Sequence, residues 1–424
     1  INGERNILWP SVVRWYAKSS GTTNDKSKFL PVTPEILKGC HYKGGFDTVS
    51  IYLQNNPDSH FFASKGLILG GSHSPSPLNR NAHCGDLSAV LLQNLNPLVN
   101  LIRVPDKKII LMDEWESKIK AIVESTWKTD VNSLSGVPSW MLVLIKAVLQ
   151  KTGSEYLTDV WPNMEVFFHG GISFEPYRDQ YKALIPSDRM HYMETYNASE
   201  GFFGLQDNPE EHSLLLMIDY SVFYEFIPIN EVGEEHPTVL PLEAVEVGKN
   251  YAMVITTSGG LWRYQIGDTV RFTSLYPHKF VISGRTKNFI NAFGEELMVD
   301  NADKAISRVC RQTGAKVKEY TAAPLFMLDK AKGRHQWMIE FEKMPPSLDD
   351  FASLLDKTLQ QLNSDYEAKR YKEISLQPLE IRVAREGTFY EWLRRKGKLG
   401  GQHKIPRLSN DRTFIEELGK ICDL

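Results

Sequence analysis

Five polar segments carry residues whose types and spacing could do chemistry. The first is Ser19-Ser-Gly-Thr-Thr-Asn-Asp-Lys-Ser-Lys28. Small hydroxylated residues around a glycine let successive backbone N–H groups converge on an anion. The hydroxyls of Ser20, Thr22 and Thr23 add donors, and Lys28 adds a point charge suited to phosphate. The segment is not a Walker A loop, because the second glycine and the Lys-Ser/Thr pair are missing. Alone such a loop reads more often as a solvated turn. The second segment, His191 to Gly204, holds Tyr196 and Glu200 near a strand end. A ring there can stack on a base and the carboxylate can bind Mg²⁺. The alternative is a buried aromatic and a capping glutamate.

In the third, Gly259 to Arg271, Asp268 follows a glycine at what reads as a strand turn. Such an aspartate can hold two vicinal hydroxyls as a ribose presents them, or can simply be a hairpin aspartate. The fourth, Ser283-Gly-Arg to Glu295, sits at an apparent domain border. The fifth, Gly400-Gly-Gln-His-Lys-Ile-Pro-Arg407, offers Lys404 in a glycine-flanked loop, where a mobile lysine can be delivered to a reaction centre. Its charge alone reads as a solvated face.

These loops need a scaffold. With 424 residues the chain exceeds one hydrophobic core, so two or more domains are expected. Apolar patterning places a helix over Asp113 to Trp127 and short buried strands at Gly66 to Gly70 and Met164 to Phe168. Strand patterns follow at Leu214 to Ile229, Tyr251 to Thr257 and Lys279 to Ser283. After Arg285 a helix at Asp300 to Cys310, strands at Met338 to Glu342 and Leu379 to Ala384, and an amphipathic helix around Leu348 to Leu362 suggest a separate small unit. Arg394 to Arg407 reads as a loop. The fold expected is α/β (α+β): a large domain over residues 1–284 with a β-rich subdomain, and a small mobile α+β domain over 285–424.

Hydrophobic residues are 42% and charged residues 24%, ordinary for globular chains, which argues against disorder. Lys plus Arg at 49 against Asp plus Glu at 52 gives −3, so no global field favours nucleic acid or an anionic membrane. The longest apolar stretch, Trp140 to Leu149, is too short to span a bilayer. The polar start has no apolar signal segment and no Met, so the natural N-terminus is expected upstream. Cys40, Cys84, Cys310 and Cys422 form no CxxC pair, which suggests neither zinc nor a disulfide framework and makes the cytoplasm the default compartment.

The order of the five segments is specific. It resembles the acyl-adenylate-forming superfamily, which includes acyl-CoA synthetases and luciferase. Within it, Ser19-Ser-Gly-Thr-Thr, Tyr196-Asn-Ala-Ser-Glu-Gly-Phe-Phe-Gly204, Arg263-Tyr-Gln-Ile-Gly-Asp268 and Gln402-His-Lys-Ile-Pro-Arg407 resemble the plant auxin-responsive Gretchen Hagen acyl acid–amido synthetases and their bacterial relatives. The likeness spans Ser19 to Arg407. It implies that Ser19, Ser20, Gly21, Thr22, Thr23 and Lys28 hold the ATP phosphates. Gly170 and Gly171 would lie against adenine, with Tyr196 stacking there beside Asn197 and Ser199. Glu200 would bind Mg²⁺, Asp268 the ribose, and Arg285 would be the hinge arginine near it. Lys404 would reach the reacting carboxylate and the α-phosphate.

The implied reaction is ATP-dependent adenylation of a carboxylic acid, then acyl transfer to an amine, by the family's wording an amino acid. The alternatives are transfer to coenzyme A or a non-catalytic nucleotide-binding relative. The partners expected are these small molecules, with no nucleic acid and no membrane. Asn24-Asp25 stand where the family usually has two glycines; a carboxylate there weakens nucleotide binding unless it faces away or meets Mg²⁺. The family's usual N-terminal extension, which packs on the large domain in relatives, is not in this sequence, so part of the acyl pocket is expected to lie outside it. His169, Tyr177 and Phe202 are candidate walls of that pocket, with a core role the alternative for His169.

Overall fold

A computed structural model describes the chain except residues 1–9, 11–12, 20–27, 76–81, 172–173, 176, 287–288, 291, 293–294, 296, 327–332, 371–375, 398–404 and 424. Its centre is a twelve-stranded sheet. In spatial order the strands are Leu240–Pro241, Val222–Pro228, Asn250–Thr257, Tyr264–Leu275, His278–Arg285, Leu214–Leu216, Gly201–Leu205, His191–Ala198, Val166–Gly170, Val131–Gly136, Lys65–Ile68 and Arg103–Val104.

The two ends of this sheet follow different rules. From His191–Ala198 outward to Arg103–Val104 every pairing is parallel. Parallel strands need crossover helices that cover the faces, so their residues are buried on both sides. Pro138–Thr152 supplies one cover. It starts with proline at the first turn, stops at Gly153 (φ 71°) and buries Met141, Leu144, Ile145 and Val148. Trp115–Thr126 supplies another, with Ile119, Ile122 and Val123 inward. The remaining strands pair antiparallel, as their alternating patterns require. The hairpin His191–Ala198/Gly201–Leu205 joins the two regimes, and its two-residue connection is Ser199-Glu200.

A second sheet places Trp15–Ser19 against Lys28–Val32, with Ser19 opposite Lys28. The candidate phosphate loop is therefore tied at both ends by one hairpin ladder, although residues 20–27 lie outside the described residues. Beyond residue 290 a separate core forms around Ala305, Val309, Trp337, Phe351, Leu355 and Leu359. Its three-stranded sheet pairs Lys316–Phe326 antiparallel and Glu380–Ala384 parallel with Gly333–Lys343. Helices Val299–Thr313 and Leu348–Leu362 press their apolar stripes on this core; each fully buried Leu or Phe contributes roughly 2 kcal/mol. The expected loop from Arg394 is corrected at its start, because the helix Thr388–Arg395 runs through Arg394. Trp392 and Leu393 bury one face of that helix and override its basic end.

Candidate functional site

The site forms where the antiparallel strands meet the hairpin tip. Asp268 lies inside the strand Tyr264–Leu275, opposite Arg285 on His278–Arg285. The expected strand turn at Gly267-Asp268 is thus corrected to a bulge. Between Gln265 and Thr269 the strand advances four residues while its partner advances two, from Val254 to Ala252. Gly267 makes this possible with φ 89°, a conformation that favours glycine. Thr286 donates its backbone N–H to the Gly267 carbonyl at 2.9 Å and closes the bulge.

Asp268 is clamped from two sides. The Tyr196 hydroxyl donates to Oδ2 at 2.5 Å, and Arg285 Nε lies 2.9 Å from Oδ1. The ring of Tyr196 is buried against Phe203 and Phe280, with centroids 5.0 and 6.1 Å away. The ring lines the cleft while its hydroxyl holds Asp268. Glu200, at the hairpin tip, is also buried. Burial, then the charge of Asp268, pushes its carboxyl up to about 7 against the pull of Arg285 and Lys28. Asn197 Oδ1 lies 2.8 Å from His41 Nδ1, and burial pushes that imidazole down to about 4, so it is neutral near pH 7. Lys28 Nζ donates to Tyr264 Oη at 3.0 Å.

These groups share one cleft of about 1010 Å³. Lys28, Gly171, Tyr196, Asn197, Ser199, Glu200, Asp268 and Arg285 all line it. Gly170 sits just behind, where a Cβ would come within 2.3 Å of the Thr195 carbonyl; Gly171 has φ 84°. Ser19 ends its strand at the ladder. Ser20, Gly21, Thr22, Thr23 and Lys404 lie outside the described residues.

The acyl-pocket candidates divide. Tyr177 lines the cleft. Phe202 does not: its ring packs on Gly44 and Tyr220 in the core, because every residue of the strand Gly201–Leu205 is buried. His169 stacks on Phe174 at 4.2 Å and is no part of the described cleft wall; burial pushes its pKa down to about 3, so it is a neutral core ring.

Sequence reasoning gave no role to Arg407, Glu319, Arg178 or Glu194, all of which line the cleft. Arg407 pairs with Glu319 at 2.6 Å, lies over the Tyr320 ring at 4.5 Å and donates to Tyr177 Oη at 3.2 Å. It joins the cleft's two walls, three residues after Lys404. A half-buried arginine between scattered partners leaves no periodic signal; only its place beside Lys404 hinted at it. Among the described residues no three metal-ligating side chains cluster, so Glu200 brings at most one further carboxylate with it. That fits Mg²⁺, which takes one or two protein carboxylates and completes its shell with phosphate and water.

This mixed sheet with a small α+β body after it is a fold shared with solved adenylate-forming enzymes. The GH3.15 acyl acid amido synthetase structure matches with TM-score 0.76 at 19% identity, over 100% of this chain and 83% of that one. A 2-hydroxyisobutyryl-CoA ligase shares the fold more distantly, with TM-score 0.57 at 11% identity over 96% of this chain and 76% of that one. The GH3 family N-terminal, central and C-terminal domain models match residues 1–190, 215–285 and 300–413. The chain belongs to the GH3 family. It is 28% identical over 432 aligned residues to indole-3-acetic acid-amido synthetase GH3.4 of Arabidopsis thaliana, covering 92% of this chain and 68% of that protein. It spans 46 to 59% of three further GH3 relatives.

Proposed function

We propose that this protein joins a carboxylic acid to an amine through an acyl-adenylate, releasing pyrophosphate and then AMP. The observation that carries this is Asp268, fixed by Tyr196 and Arg285 beside the buried Glu200, in a cleft that Lys28 also lines. Carboxylate and ammonium only pair in neutral water. Attack of the carboxylate on the α-phosphorus of ATP expels pyrophosphate and leaves an acyl group with a good leaving group. In this reading Asp268 holds the ribose hydroxyls and Gly170-Gly171 pass beside adenine, with Asn197 and Ser199 near it. Tyr196 acts on the nucleotide through Asp268. Ser19 to Thr23 and Lys28 face the phosphates.

Glu200 would hold Mg²⁺, which offsets phosphate charge when bound. Lys404 would meet the reacting carboxylate and the α-phosphate. The small body that follows Thr286 would act as the lid over the large domain and exclude water from the mixed anhydride. The apolar wall by Trp140, Leu142 and Val143 suits an aryl or aliphatic acid. An amino acid is the proposed acceptor, in keeping with the GH3 relatives. A cytoplasmic setting suits the four free cysteines; among the described residues no helix is long and apolar enough to cross a membrane.

The test is ATP–pyrophosphate exchange across aryl and aliphatic acids, followed by product analysis with amino acids or coenzyme A. Acid-dependent exchange and an amide product are expected. No exchange with any acid overturns the proposal, and a thioester in place of an amide reassigns the acceptor.

A further inference from the structure

The strand His191–Ala198 turns alternate side chains to the same face, so Glu194 lies beside Tyr196 in the cleft wall, roughly 7 Å along the strand. The nucleotide residues sit at the Tyr196 end, and Glu194 has no part in them. Near it is Arg178. Its Nε donates to Glu175 at 3.3 Å and its guanidinium lies over the Phe174 ring at 4.9 Å. Among the described residues its two terminal amino groups have no hydrogen-bond partner, and both residues line the cleft. A braced guanidinium with its fork open is built for a carboxylate.

We propose that Arg178 and Glu194 form the subsite for an α-amino acid acceptor, Arg178 taking its carboxylate and Glu194 removing a proton from its ammonium group. This rests on the reading that the cleft forms an acyl-adenylate. The ammonium gives one proton to Glu194. The freed nitrogen lone pair attacks the acyl carbon, and the C–N bond forms. The adduct then collapses, the C–O bond to phosphate breaks, and AMP leaves with that electron pair. The nitrogen's surplus proton passes to the AMP phosphate, and Glu194 returns its own to water.

The groups around Glu194 suit it to this work. Burial raises its carboxyl to about 7, with Arg178 opposing and the charges of Asp300 and Glu175 adding. Asp300 is itself engaged by Arg271 at 3.1 Å and Lys304 at 2.9 Å, and Glu175 by Arg178. A base titrating near working pH is effective for proton transfer.

The test compares two half-reactions in Glu194→Gln, with indole-3-acetic acid, benzoic acid or another acid that supports exchange, and glutamate as amine. Pyrophosphate exchange is expected to stay within about twofold, while amide formation falls roughly a hundredfold at pH 7. Hydroxylamine, already neutral at that pH, is expected to trap the acyl group as fast as in the unaltered protein. Arg178→Met is expected to raise KM for glutamate at least tenfold and leave hydroxylamine trapping unchanged. Unaltered amide formation in Glu194→Gln, or an equal loss with glutamate and hydroxylamine, overturns the inference alone. No exchange by the unaltered protein with any acid overturns the function it rests on.

Discussion

Replacing Glu200 by glutamine tests the site without any ligand. Carrying a carboxyl from 4.5 to about 7 corresponds to about 3 kcal/mol, at about 1.4 kcal/mol per pH unit. The sign follows from proton counting. Between those values the folded protein holds a proton that the unfolded chain has lost, so stability falls as pH rises through this window and levels off above it. A glutamine amide never ionises. The variant is therefore expected to match the natural protein near pH 4.5 and to exceed its stability by up to about 3 kcal/mol above pH 7. Burial and the Asp268 charge are the causes, so adding Asp268→Asn should shrink the difference.

The assay is urea unfolding of both proteins from pH 5 to 8.5, where the other titrating groups cancel in the comparison. A stability difference that stays constant across that range refutes the electrostatic reasoning. The second arm adds MgCl₂ and ATP. A metal on Glu200 draws off its proton, so the natural protein should gain stability with Mg²⁺ concentration while Glu200→Gln gains much less. Equal gains would make Glu200 structural.

Lys404→Ala should lower pyrophosphate exchange about a hundredfold with little change in ATP affinity, as expected for one lost transition-state donor; near-normal exchange removes it from the chemistry. Asp268→Asn should cost about 2 kcal/mol in urea unfolding, because it removes the charge of the Asp268–Arg285 pair, and should weaken ATP binding measured by calorimetry. Gly170→Ala should destabilise by about 2 kcal/mol, because its Cβ meets the Thr195 carbonyl at 2.3 Å and the strands must part; an unchanged urea midpoint would refute the close approach. Arg407→Met should cost about 3 kcal/mol by stranding Glu319, and Arg407→Met with Glu319→Gln should recover part of that loss.

Much of the framework was legible because periodicity carries it. The amphipathic helix Leu348–Leu362 and the strands around Tyr251 and Lys279 follow from apolar spacing alone. The ladder that flanks the candidate phosphate loop was not legible. Trp15–Ser19 reads Trp-Tyr-Ala-Lys-Ser, with no alternation to mark a strand, and its partner Lys28–Val32 contains a proline. Glu200 and Asp268 were found through motif order, since no local rule joins residues so far apart in sequence. Glu194 and Arg178 escaped for a related reason. An acidic residue in a strand and an arginine at a helix start look like surface charges until the fold turns both inward.

In the proposed reading the Asp268 clamp also constrains how the small body can move. Arg285 is the last residue of its strand, paired across the ladder with Asp268, and Thr286 is bonded back to Gly267. If Arg285 itself swung with the residues that follow, it would leave the buried Asp268 side chain held by Tyr196 alone. That loss works against every open state and would release the ribose side of the cleft each time the lid moved. A pivot beyond Thr286 avoids it. The ion pair and the bulge then stay together as one rigid piece of the large sheet, and in the proposed reading lid motion leaves the nucleotide's anchor undisturbed. In the proposed reading Arg285 is accordingly the fixed post of the hinge, and its first function is electrostatic: it keeps Asp268 paired and aimed in every position of the lid.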